Sequence, residues 1–383
     1  MSAAELGDGL LSDVRGRLGT GDVDDAAVGA ALAASGRVLG SSALRELTRA
    51  ARAQLAGAGP LQALLELPSV TDVLVNGPQD VWVDRGDGLE RVDLDLGTPG
   101  AVRALAVRLA ALGGRRLDDA EPVCDAALPD GTRLHAVVEP VAARGAVISL
   151  RVLRQSTLGL DALVAAGSVP PGWEGLLRGL VARRANVLVS GGTGSGKTTL
   201  LAALLGLVPH DERVVTVEEA RELAPSHPHV VALATRRANV EGAGAVGLTD
   251  LVRAALRMRP DRIVVGECRG AEVREVLLAM NTGHDGGLAT VHANAVEHVP
   301  ARLEALAALA GMSRQAVAAQ AVAALDVVVH VRRARGRRFV EAIGAVVPAD
   351  DGFAVREAAR WDGAEPTVVD AGVWEHVVGR WGL

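Results

Sequence analysis

Residues 186–199 read Asn-Val-Leu-Val-Ser-Gly-Gly-Thr-Gly-Ser-Gly-Lys-Thr-Thr. An apolar run leads in, and the helix-like Thr198-Thr199-Leu200-Leu201-Ala202-Ala203-Leu204-Leu205 leads out. Gly191-x4-Gly196-Lys197-Thr198 between a strand and a helix is the context that makes the pattern a phosphate-binding loop. Its glycines let backbone N–H groups of Gly192, Thr193, Gly194, Ser195, Gly196, Lys197, Thr198 and Thr199 cradle phosphates. The helix N-terminus adds partial positive charge. Lys197 suits the β- and γ-phosphates and Thr198 a metal hydroxyl ligand, so the expected ligands are ATP and Mg2+.

Composition singles out the same loop. The chain has 40 Lys plus Arg, and Lys197 is its one lysine. A compact ammonium and a planar guanidinium differ in shape and hydration. A chain that otherwise uses Arg throughout keeps an ammonium where a phosphate cradle needs one. The same count excludes a guanine-selective Asn-Lys-x-Asp motif, and with it a GTPase switch of that kind.

Outward from the loop, strands and helices alternate. The expected strands are 185–190, 213–218, 262–266, 287–292 and 326–331. The expected helices follow the loop and cover 249–257, 271–280, 298–309 and 313–324. Apolar strands between helices of this length predict an α/β fold, a mainly parallel sheet covered on both faces. Upstream, Asp72–Val75, Val81–Val83 and Ala146–Leu150 are strand-like, with turn signals between them and a helix over 99–112. The predicted organisation is a helical segment at 1–56, a small α+β domain at 57–153 and a linker at 154–172. The ATPase domain follows at 173–345, and a tail at 346–383 holds three of the five Trp.

Acids stand at the ends of neighbouring strands. Arg262–Gly266 ends in Glu267, which suits orientation or deprotonation of an attacking water and a place in the metal shell. Gly266 stands where many P-loop enzymes place Asp. Glu218-Glu219-x-x-Glu222 follows strand 213–218 and makes Glu218 and Glu222 candidates, since the C-terminal ends of parallel strands face the ligand crevice. Strand 287–292 ends in His292, whose neutral imidazole can hydrogen-bond a γ-phosphate and report its loss. His284 and Asp285 are placed to pair locally.

The order of these segments carries a resemblance. The P-loop is followed by Thr-Val-Glu-Glu-x-x-Glu-Leu from 216, Arg-Met-Arg-Pro-Asp-Arg-Ile-Val-Val-Gly-Glu from 257, and Thr-Gly-His-Asp-Gly-x-x-x-Thr-Val-His-Ala-Asn from 282. This resembles the Walker A, aspartate, Walker B and histidine boxes of the type II/type IV secretion ATPase superfamily. Within it the chain looks like the tight-adherence pilus branch and its actinobacterial helicase/secretion-neighbourhood ATPases, sometimes labelled conjugal-transfer-associated. Gly59-Pro60-Leu61, Pro68–Pro78 and Leu128–Arg133 resemble the family's N-terminal domain, so the likeness spans about residues 57–345.

The resemblance implies a RecA-like domain, a homohexameric ring and an inner-membrane platform protein as partner. It also implies arginines of the N-terminal domain at the phosphates. Arg133 and Arg151 match best, and a guanidinium there would stabilise charge on the transferring phosphoryl group. Arg257 and Arg259 are further candidates. The chain departs from the family at Ala127, where Asp-Ala-Arg-Leu is common, and at Glu219, where Asp is.

Other features narrow the function. No apolar run reaches the ~20 residues of a bilayer span, and the N-terminus lacks the basic region of a signal peptide. The expected location is cytoplasmic, with peripheral attachment to the membrane through a partner. Cys124 and Cys268 have neither disulfide-framework nor metal-ligand spacing. A net charge of −6 and few aromatics argue against nucleic acid, despite clusters at Arg236-Arg237 and Arg332–Arg338. The leading expectation is a motor for pilus assembly or secretion. The rivals are a nucleic-acid translocase in conjugal transfer, a small-molecule kinase and a weakly hydrolysing scaffold.

Overall fold

The computed structural model describes residues 8–19, 23–35, 40–86, 88–152, 158–236, 238, 243–334 and 336–382. Arg237, Asp87 and the start of the expected linker, 154–157, lie outside them. The chain divides into two compact units, Met1–Leu153 and Arg154–Leu383.

The first unit opens with three helices, α1 (Asp8–Leu18), α2 (Asp25–Ala33) and α3 (Ser41–Ala56). Leu10, Val14, Val28, Leu32, Leu47 and Ala51 form their shared core. After the short α4 (Gln62–Leu65) come β1 (Asp72–Gly77), β2 (Asp80–Asp84), β3 (Leu89–Val92), α5 (Pro99–Leu112), β4 (Val123–Ala127), β5 (Arg133–Val137) and β6 (Val147–Arg151). The strands form one antiparallel sheet in the order β3-β2-β1-β6-β5-β4. Val73 and Val75, Val81 and Val83, and Ile148 and Leu150 alternate inward, as a sheet with one covered face requires. Helix α5 shares their core through Val102, Leu105, Ala106 and Leu109. Thr98 caps it by accepting from Ala101 N–H, and Pro99 sits where no N–H is needed. Strands β3, β4 and β5 lay outside the sequence expectation; β3 and β4 are mostly exposed and so need no apolar alternation.

The second unit holds α6 (Leu160–Ala165), α7 (Glu174–Ala182), β7 (Val187–Gly191), α8 (Lys197–Leu205), β8 (Val214–Glu218), β9 (Val230–Ala234), α9 (Leu248–Ala255) and β10 (Arg262–Cys268). It continues with α10 (Val273–Asn281), β11 (Leu288–His292), α11 (Val299–Leu309), α12 (Arg314–Ala324), β12 (Val327–Ala334), β13 (Arg337–Ala349), β14 (Gly352–Trp361), β15 (Pro366–Val368) and α13 (Ala371–Trp381). One nine-stranded sheet runs β15-β14-β13-β12-β7-β11-β10-β8-β9. From β12 to β9 every pairing is parallel, and from β12 to β15 every pairing is antiparallel. The α/β, mainly parallel fold is the expected one.

Strand β7 is buried along its whole length. Successive side chains point to opposite faces. Val187 and Val189 meet Leu177, Leu180, Leu201 and Leu204 of α7 and α8, whereas Leu188 joins Val252, Leu277, Leu303 and Val317 on the other face. The phosphate-loop strand is thereby clamped between two helical layers.

The expected boundary at 345 falls inside β13, and the tail continues the sheet. Val377 and Trp381 of α13 join the core beside α7. Gly179 makes this close packing possible, since a Cβ there would stand 1.8 Å from the Trp381 carbonyl oxygen.

Candidate active site

The loop after β7 is shaped by glycine. A Cβ on Gly191 would stand 2.3 Å from the Val331 carbonyl oxygen and 2.6 Å from Ser195 Oγ. Gly196 takes a φ of 100° to turn the chain into α8, a left-handed value that suits glycine. The first N–H groups of α8 have no intrahelical acceptor and carry the positive end of its dipole.

Lys197, the first residue of α8, is 7% exposed. Its Nζ folds back onto the loop and donates to the carbonyl oxygens of Gly191 (3.1 Å) and Gly192 (2.8 Å). It also lies 3.5 Å from His292 Nδ1. Burial lowers its pKa to about 8, with Glu267 pulling up and Arg269 down.

Parallel pairing brings the other groups to this point. His292 on β11 is the register partner of Gly191 on β7. Burial and the Lys197 charge lower the His292 pKa against the pull of Glu267, favouring a neutral imidazole. Its Nε2 lies 2.8 Å from Glu267 Oε1 but off the N–H axis, so that buried oxygen has no aligned donor among the described residues. Glu267 Oε2 accepts from Arg269 Nη2 at 2.7 Å. Burial would raise the Glu267 pKa, but Arg269, His292 and Lys197 outweigh it and hold the carboxyl below its ordinary value. Arg269 also donates to Glu219 Oε2 at 3.0 Å. The sequence reading missed Arg269; its position two residues beyond Glu267, on the same side of a strand end, is the signal that would have found it.

The acidic cluster divides its work. Glu218 is 4% exposed, and its Oε1 accepts from Glu222 N–H (3.1 Å) and Leu223 N–H (3.0 Å), bracing the turn after β8. Glu222 acts on Lys197 through its charge. The neighbouring strand accommodates Glu218 through Gly266, where a Cβ would meet Glu218 Cγ at 2.7 Å. The room an aspartate at 266 would need is filled by the neighbouring strand's glutamate.

Arg133 and Arg151 belong to the first unit, where they are cross-strand partners. Arg151 Nε donates to Asp72 Oδ1 at 2.9 Å. Ala127 is opposite Arg133, so an arginine there would add a third cation to the row. Arg257 and Arg259 are exposed beyond α9. His284 does not pair with Asp285: its Nδ1 is buried with no hydrogen-bond partner among the described residues.

Two cavities flank the loop and meet at Ser195. One, of about 280 Å³, is bordered by Leu163, Val169, Phe339 and Arg338 together with Gly196 and Thr199. The other, of about 340 Å³, is bordered by Gly192, Thr193, Asn294, His330 and Arg333. Ser195 Oγ is buried and has no partner among the described residues.

No group of three or more His, Cys, Asp or Glu among the described residues makes a metal cage. A magnesium ion fits here in the manner ordinary for it, held by few protein groups and completed by phosphate oxygens and water. Thr198 would hold it, and Glu267 Oε1, buried without an aligned donor among the described residues, suits a water in its shell.

Residues 54–344 match the family model described as type II/IV secretion system protein. A Mycobacterium tuberculosis protein that carries a conjugal transfer name is 53% identical over 320 residues, 82% of this chain and 91% of its own. The type IV secretion system protein PtlH of Bordetella pertussis is 35% identical over 273 residues, 63% of this chain and 79% of its own. In fold, the chain resembles the Legionella pneumophila ATPase DotB (TM-score 0.50, 19% identity, 82% of this chain and 81% of that one). It also resembles the pilus retraction motor PilT solved with ADP (TM-score 0.50, 18% identity, 83% and 84%). No helix among the described residues is long and apolar enough to cross a membrane. With the family pattern running over both units of the fold, this chain belongs to the type II/IV secretion system protein family.

Proposed function

We propose that the chain hydrolyses ATP with Mg2+ and, as a ring of six, drives pilus assembly or type II/IV secretion across the inner membrane. The observation that carries the reading is the unbroken run of contacts Arg269–Glu267–His292–Lys197 at the mouth of the phosphate loop. The loop N–H groups and Lys197 would bind the phosphates, releasing Lys197 Nζ from the Gly191 and Gly192 carbonyls. Magnesium, when bound with nucleotide, neutralises charge on the phosphates. Glu267, held ionised by Arg269, would orient the attacking water and draw its proton through Oε1. Neutral His292, between Lys197 and Glu267, is placed to sense loss of the terminal phosphate. Glu218 and Glu222 would shape the acidic side of the site. Arg133 and Arg151 are assigned the stabilisation of the transferring phosphoryl group, the role the family resemblance gives them. Membrane attachment would come through a platform protein, leaving the motor on the cytoplasmic side.

The test is steady-state ATPase activity against protein concentration, with light scattering on the same samples, for wild type, Lys197→Ala and Glu267→Gln. Activity that rises with hexamer formation and vanishes in both variants supports the ring motor. A monomer that hydrolyses ATP at a concentration-independent rate overturns it.

A further inference from the structure

The β12–β13 hairpin, at the antiparallel side of the sheet, carries two arginines the proposed mechanism leaves unused. Arg333 and Arg338 are direct cross-strand partners. Directly opposed residues of an antiparallel pair share a face, and like charges placed so are destabilising. Both approach the phosphate loop. Arg338 Nε donates to the Gly194 carbonyl oxygen at 2.9 Å, and its Cδ lies 3.4 Å from where a Cβ on Gly196 would be. Arg333 Nη1 lies 3.6 Å from the corresponding point on Gly194. Arg332 has a carboxylate partner in Glu341, and Arg360 one in Glu357. Arg333 makes no hydrogen bond or ion pair among the described residues.

The two arginines also border different cavities. Arg338 borders the apolar one, whose Leu163, Val169 and Phe339 suit a nucleobase. Arg333 borders the polar one at Gly192 and Thr193, the end of the loop where Lys197 meets the Gly192 carbonyl. An anion laid along the loop would pass from one to the other and relieve their repulsion.

We propose that Arg333 and Arg338 form a same-chain clamp closing over a nucleoside triphosphate from the side opposite the loop amides. Arg338 takes the phosphates nearer the sugar, exchanging the Gly194 carbonyl for them. Arg333 takes the terminal phosphate. The clamp rests on the nucleotide-binding reading above and adds that this hairpin distinguishes triphosphate from diphosphate.

The test is equilibrium titration of the full chain, in Mg2+ at fixed salt, with N-methylanthraniloyl derivatives of ADP and of a non-hydrolysable imidotriphosphate. Melting curves confirm that each variant is folded; both residues are exposed, so loss of fold is not expected. Arg333→Gln should weaken triphosphate binding about tenfold or more, the scale of a charge-assisted hydrogen bond, and leave ADP within about twofold. Arg338→Gln should weaken both alike. If wild type binds, Lys197→Ala does not and both arginine variants bind like wild type, the clamp is wrong and the phosphate-loop reading stands. Equal loss of both nucleotides in Arg333→Gln overturns its assignment to the terminal phosphate. If wild type binds neither nucleotide, the underlying reading fails and the clamp with it.

Discussion

Glu218 fills the space beside Gly266: a Cβ at 266 would stand 2.7 Å from Glu218 Cγ and 3.1 Å from its Oε1. The Glu218 carboxylate is at the same time tied to two backbone N–H groups, so it cannot swing away freely. Gly266→Ala should destabilise the protein by about 1–3 kcal/mol, the usual cost of overpacking. Combined with Glu218→Ala the loss should fall short of the sum, because the two sites share one volume. Urea denaturation of the two single variants and the double variant measures the coupling; strict additivity would show that the two residues do not contend for space.

Arg269 joins Glu267 to Glu219 and keeps the Glu267 carboxyl ionised. On the proposed mechanism, Arg269→Ala should lower kcat about 10–100-fold, the scale of losing a group that orients a catalytic one. KM for ATP should stay within about threefold of wild type, and Arg269→Lys should restore part of kcat. A variant with raised KM and unchanged kcat would place Arg269 at the nucleotide instead.

His330 is 2% exposed, with Nδ1 2.8 Å from Ser190 Oγ and Nε2 3.8 Å from Glu341. Burial lowers its pKa, against the pull of Glu341 and Glu297. The unfolded chain therefore takes up this proton at about pH 6.5, before the folded chain does. Between the two values the unfolded state holds more protons, so stability falls as the pH drops below ~6.5. His330→Asn should flatten that fall relative to wild type. The check is the urea midpoint followed from about pH 7.5 to 5; parallel curves for the two proteins would remove His330 as a cause.

Gly179 lies in the middle of α7, where alanine would ordinarily favour the helix by about 1 kcal/mol. Here the added methyl would meet the Trp381 carbonyl oxygen at 1.8 Å. Gly179→Ala should push α13 off α7, uncover Trp173 and Trp374, now 6.0 Å apart, and open the tail to proteolysis. Faster cleavage in 371–382 and a red-shifted tryptophan emission are the expected signs. A more stable protein with a protected tail would contradict this packing.

By itself the sequence determined what is local or periodic. The phosphate loop is a contiguous run whose glycines, lysine and following helix act within a dozen residues. The parallel core strands announce themselves because strands buried on both faces must be apolar along their length. Helix α5 was legible at its bounds, 99–112. Strands β3 and β4 of the first unit and the edge strand β9 were not, since mostly exposed or only half-buried positions impose no apolar alternation.

Only the tertiary structure decided which residues became neighbours across strands. Sheet order puts β10 between β8 and β11, and from that follow the fit of Glu218 over Gly266, the contact of His292 with Glu267, and the place of Arg269. The tail also needed the fold, because β13 and β14 extend the sheet through pairings up to 18 residues apart (Ala342 with Arg360) that no local pattern specifies. A side chain's identity is written in the chain, but its partner is chosen by strand order and register, which belong to the packed sheet as a whole.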